Sequence, residues 1–116
     1  MSDSSEFLPL REPTFFILLS LADGDKHGYA ILKDVELLSQ GQVNLSTSTL
    51  YEALARLLDQ GLVVRVTPNS SVNHPGRPRK FYQLTAIGQQ VLDAELARLQ
   101  GLVNTARQRL GLSNSR

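Results

Sequence analysis

Residues with chemical capacity cluster in two places. The first is Ser46-Thr47-Ser48-Thr49, four consecutive hydroxyls followed by Tyr51, Glu52 and Arg56. The second is Gly76-Arg77-Pro78-Arg79-Lys80, which closes a long polar run. Hydroxyls at a helix start, beside N–H groups that lack intrahelical partners, suit phosphate oxygens. Prolines at 75 and 78 favour extended backbone and cannot donate backbone hydrogen bonds. Arginines held that way suit a polyanion, and Gly-Arg-Pro is also the core of a minor-groove hook. Catalysis has far less to work with. There are two histidines, no cysteine and no clustered carboxylates, so no metal set is expected. His74 lies near Ser70 and Ser71, but in a loop that cannot hold a nucleophile and base in reach. No glycine-rich nucleotide loop is present. The expectation is no catalytic residue, no metal and no cofactor.

Charge distribution sharpens the polyanion reading. Net charge is only +1. Residues 1–60 nevertheless carry nine acids against four bases, and residues 61–92 carry no acid with four bases, Arg65, Arg77, Arg79 and Lys80. Residues 93–116 hold two acids and four bases, so the balance runs −5, +4, +2. A basic block on a near-neutral chain is a local electrostatic footprint. The chain of 116 residues, 41% apolar and 20% charged, has the make-up of one ordinary folded domain. Its main apolar run, Phe15 to Ala22, is far short of the roughly 20 residues a spanning helix needs. The acidic N-terminus lacks an apolar signal region. A soluble cytoplasmic protein without a membrane partner is expected.

These side chains need positioning elements, and four helices and one hairpin are predicted. The first helix covers about 14–22 and is apolar nearly all round, so it should be buried. The second runs from about 27 to 40, with Gly41 as its C-terminal cap. The third starts at the N-cap Ser46, carries the stripe Leu50, Leu54, Leu57 and Leu58, and ends at Gly61. Leu62–Thr67 and Lys80–Leu84 read as paired strands around a loop too long for a tight turn. The fourth helix starts at the cap Thr85 and extends to about 110. Leu92, Leu96, Leu99, Val103, Ala106 and Leu110 follow a 4-3-4-3-4 spacing along it, a seam of heptad type. A chain this small offers such a helix little to pack on, so a second copy is the expected partner.

Helix, helix, helix, strand, basic loop, strand is the order of a winged helix-turn-helix. "ILLSLADGDKHGYAI", "LSTSTLYEALARLLDQGLV" and "GRPRKFYQLTAIGQQVL", with the heptad-like last helix, resemble the PadR family of transcriptional regulators. The fold class expected is mainly α with a small β-hairpin: a winged helix-turn-helix followed by a long C-terminal helix. The resemblance implies a homodimeric repressor on a pseudo-palindromic double-stranded DNA operator, in the small subtype with one C-terminal dimerisation helix. Family members often respond to small aromatic or hydrophobic effectors, but no effector can be named for this chain. The domain reading is a flexible arm over 1–13, a DNA-binding unit over 14–84, a dimerisation helix over 85–110 and a disordered tail over 111–116. The DNA-contact candidates are Lys26, Ser46, Thr47, Ser48, Thr49, Tyr51, Glu52 and Arg56, with Arg77, Arg79 and Lys80 on the wing. Arg56 suits guanine and Glu52 suits cytosine N4, while Lys26 and the 27–28 backbone suit a phosphate. Tyr29 reads as a packing residue. The alternative is a winged-helix dimer that binds another protein.

Overall fold

The computed structural model describes residues 4–67 and 80–112. A 3-10 turn over Ser4–Phe7 leads into α1 (Glu12–Ser20), β1 (Lys26–His27), α2 (Gly28–Leu38), α3 (Thr47–Asp59), β2 (Val63–Val66), β3 (Phe81–Leu84) and α4 (Ala86–Arg109). The expected fold class is borne out, with one addition. The sheet has three strands in the order β1-β3-β2, all antiparallel, not two. Its third strand pairs Lys26 with Tyr82 and His27 with Phe81. A two-residue strand is too short to leave an alternating pattern in the sequence. The predicted second helix therefore begins one residue late, after His27, whose ring Nδ1 accepts from the Ala30 N–H and caps α2.

The core gathers Ile17 and Leu18 from α1, Ile31 and Val35 from α2, and Leu50, Leu54 and Leu57 from α3. Leu62, Tyr82, Val91 and Leu92 close it. Each large aliphatic side chain buried this way stabilises the fold by about 1.5–3 kcal/mol. Gly61 follows the α3 cap Gln60 at φ +76°, as expected, whereas α2 caps at Ser39 and turns left-handed already at Gln40, φ +55°, one residue before Gly41 at +80°.

Two domain boundaries need correction. The segment expected to be a flexible arm folds from residue 4 onward. Phe7, Leu8 and Leu10 pack on the core, and the turn lies against α4. Its anchor is Glu95, a fully buried carboxylate whose Oε2 accepts from the Leu10 N–H at 3.3 Å. Arg98 grips the same carboxylate with two hydrogen bonds, of 2.7 and 2.8 Å. The arm looked unstructured because its partner lies 85 positions away. At the other end, Gly111 and Leu112, expected in the tail, cap α4: the Leu112 N–H donates to the Arg107 carbonyl at 2.8 Å.

The Arg98 hydrogen bonds, ahead of the desolvation that opposes them, hold the Glu95 carboxyl below the ordinary carboxylate range. A depressed folded-state value stabilises the fold above the unfolded value, and that stability is lost as pH falls through the folded one. The wild-type melting temperature should therefore fall steeply below about pH 4. Glu95→Gln should melt lower at pH 7 and lose part of that acid slope. An unchanged melting curve at both pH values would contradict the role given to this carboxylate.

Candidate nucleic-acid interface

One face of α3 faces the core through Leu50, Ala53, Leu54 and Leu57; Ser48, Glu52, Ala55 and Asp59 are exposed on the other. Ser46, Thr47, Thr49 and Tyr51 are exposed as well. Ser46 caps the helix as predicted: its Oγ accepts from the Thr49 N–H at 3.1 Å and donates to Thr49 Oγ1 at 2.9 Å. The Ser48 hydroxyl stands 3.4 Å from it. The backbone N–H groups of Thr47 and Ser48 belong to the first turn, which has no intrahelical acceptors. Hydroxyls, two N–H groups with no acceptor among the described residues and the positive end of a 13-residue helix thus face outward together.

Tyr51 is held by an absence. A Cβ on Gly28 would collide with the Tyr51 hydroxyl and ring, so the phenol lies across the first turn of α2 only because residue 28 is glycine. This couples His27-Gly28-Tyr29 to Thr49-Leu50-Tyr51, two motifs that the sequence shows only as separate strings. Below it, burial first and the Tyr51 phenol second push the Tyr82 hydroxyl up from its ordinary value, so it remains protonated.

Other candidates fare differently. Lys26, expected at a phosphate, is engaged within the fold: its Nζ donates to the Ser20 carbonyl at 2.5 Å and to Asp23 Oδ1 at 2.6 Å. Asp34 lies 3.9 Å away. The hydrogen bond from Lys26 lowers the Asp23 carboxyl from its ordinary value. The end of α1 and its turn bring these acceptors to the lysine, which spacing alone did not reveal. Tyr29, read as a packing residue, is 63% exposed with Lys33 Nζ 5.8 Å from its ring centre. Glu52 is exposed on the outer face of α3, and Arg56, one turn further on, lines a cleft with the N-terminal segment. Lys80 is exposed just before β3; Arg77 and Arg79 lie outside the described residues.

The seam on α4 divides in two. Leu92 is buried within its own chain, which corrects its place in an intermolecular seam, because α1 and the sheet reach that turn. Leu99 is half-buried near Phe15 and Phe16. Leu96, Val103, Ala106 and Leu110 are exposed, and every residue from 101 to 112 stands clear of the body. Leu110 is the C-terminal cap, just beyond the helix.

The sequence profile of the PadR-like family of transcriptional regulators matches residues 17–94, and the chain belongs to that family. A PadR family regulator from Clostridium difficile R20291 is 25% identical, with 86% of this chain and 99% of that one covered at a TM-score of 0.70. A family member from Eggerthella lenta is 28% identical over 92% and 90% of the two chains, at a TM-score of 0.63. Bacillus subtilis PadR, solved with operator DNA, is 27% identical over 74% of this chain and 48% of its own, at 0.64. An uncharacterised 37.1 kDa protein of transposon Tn4556 in Streptomyces fradiae is 40% identical over 90 residues. The chain spans 24% of that protein's length. No helix among the described residues is long and apolar enough to cross a membrane.

Gly28→Ala should displace the Tyr51 ring from the α2 turn with little loss of stability, because the atoms it meets are the far end of a side chain that is 44% exposed. Amide NMR should show Tyr51 and its α3 neighbours shifted while the urea midpoint holds; unchanged resonances at Tyr51 would refute the contact.

Proposed function

We propose that the chain is a DNA-binding transcriptional regulator, acting as a homodimeric repressor on a pseudo-palindromic operator. The observation that carries the proposal is the outward-facing first turn of α3. Its hydroxyls and first-turn N–H groups suit backbone phosphates, and Tyr51 lies beside them. In this reading α3 enters the major groove, with Ser48, Thr49 and Tyr51 as its principal contacts and Glu52 near the base edges. Lys80 and the basic segment carrying Arg77 and Arg79 supply the wing's contact to backbone or minor groove. Lys26 is left out, since its ammonium already has partners. Membership of the regulator family, and a relative solved on operator DNA, support the reading.

Dimerisation follows from the second half of α4. A short helical extension with water on all sides is marginal by itself, and Leu96, Leu102 and Val103 lie about half exposed along it. A second copy of α4 laid on this stripe would bury them and fix the separation of the two α3 helices.

Anisotropy titration of a genomic fragment selected by the protein should give affinity that falls with salt, with a log–log slope of about −0.9 per phosphate neutralised. A flat response would point to a protein partner in place of DNA. Val103→Asp tests the seam, because residue 103 is 46% exposed and lies outside the hydrophobic core. Light scattering should show a monomer that no longer binds the fragment; a persistent dimer would refute the α4 seam.

A further inference from the structure

α4 is fastened to the body at two points and projects beyond them. The first is its opening turn. The Thr85 hydroxyl donates to the Gly61 carbonyl at 2.7 Å and accepts from the Gly88 N–H at 3.0 Å, which ties the end of α3 to the start of α4. Gly88 is buried there, and a Cβ on it would collide with the Leu62 carbonyl oxygen and stand 2.8 Å from a Leu84 methyl carbon. The second point is Glu95, buried two turns further along, which accepts from the Leu10 N–H and from Arg98. About 10 Å separates the two points at the helical rise of about 1.5 Å per residue. Beyond them every residue from 101 to 112 is exposed, including Leu102 and Val103 of the proposed seam.

We propose that Thr85 and Gly88 select the half-site spacing of the operator without touching DNA. The inference rests on the dimeric DNA-binding reading and deepens it. With Glu95 as pivot, a displacement of about 1 Å at Gly88 tilts α4 by about 6°. Over a lever of about 18 Å, half the length of α4, that tilt swings the body by about 2 Å. Two-fold symmetry doubles the change in separation to about 4 Å, close to the rise of about 3.4 Å for one base pair. A methyl at position 88 demands a displacement of that order, about 1 Å, to regain van der Waals separation from the Leu62 oxygen. The obstacle is backbone, which cannot rotate away as the tip of a side chain does. Loss of the Thr85 hydroxyl acts differently: it removes the tie without adding bulk, so the angle loosens instead of shifting.

Spacing preference is read by anisotropy on the selected genomic fragment and on versions with one base pair more or fewer between the half-sites. Wild type should favour the native spacing by about ten-fold or more. Gly88→Ala should move the optimum by one base pair. Thr85→Val should bring the three fragments within about three-fold of one another, and Thr85→Ser, which keeps the hydroxyl, should behave as wild type. A second readout needs no DNA. The chain has no cysteine, so Asp59→Cys places one nitroxide on the exposed end of α3 in each protomer. Electron–electron distance measurements on the dimer should give one narrow distance in the wild-type background. Gly88→Ala should shift that distance by about 4 Å, and Thr85→Val should broaden it. If Gly88→Ala does not fold, Thr85→Val and its serine control carry the test. Unchanged distances, or an unchanged spacing preference in variants that remain folded dimers, would overturn the proposal while leaving the regulator reading intact. A protein whose distances respond but which binds no DNA would sink the regulator reading, and the spacing role with it. A wild-type chain that gives no inter-label distance would sink the dimer.

Discussion

Three hydrogen bonds and one missing side chain join the end of α3 to the start of α4. The Thr85 hydroxyl donates to the Gly61 carbonyl at 2.7 Å and accepts from the Gly88 N–H at 3.0 Å. The Thr85 N–H donates to the Leu62 carbonyl at 3.1 Å. Gly88 has no Cβ, and any Cβ there would collide with that same Leu62 oxygen. The end of α3, the start of β2, the end of β3 and the first turn of α4 therefore meet at one joint. A backbone carbonyl cannot swing aside as a flexible side chain can, so the angle between α3 and α4 is set there. Since α4 carries the exposed stripe and α3 the outward hydroxyls, this angle determines how a dimer would space its two α3 helices.

The same economy recurs at the other end of α3. Ser46 ties its hydroxyl to Thr49, and Gly28 makes room for the Tyr51 ring, so the first two turns are fixed by groups with no need to touch a ligand. What remains outward is a set of hydroxyls and first-turn N–H groups, suited to phosphate in a way that a charged side chain is not: they position without adding net charge. That accounts for a proposed DNA-binding protein whose formal charge is only +1. In the proposed reading, the positive charge needed for affinity falls to the acid-free 61–92 block.

Much of this was legible in the residues. Ser46 and Thr85 read as caps because each precedes a periodic apolar run, and both cap in the structure. Leu50, Leu54 and Leu57 read as one stripe because helical spacing is a local property, and all three are buried. What escaped depended on long-range pairing. The two-residue strand at Lys26 is defined by Tyr82, and the anchored N-terminal segment by Glu95. Leu92 and Leu96 occupy equivalent places in a heptad; only the position of the sheet and α1 buries one and exposes the other. Gly28 and Gly88 were visible within quoted motifs, yet their reason lies in what approaches them: a tyrosine ring and a carbonyl.

In the proposed dimer, a paired α4 presents two α3 helices at a fixed separation. Hydroxyl-radical footprinting of a selected genomic fragment measures that separation directly. Two protected patches related by two-fold symmetry, on one face of the duplex and centred about 10 base pairs or a multiple apart, are what the account predicts. A single unsymmetrical patch, or no protection at concentrations where the protein is dimeric, would contradict it.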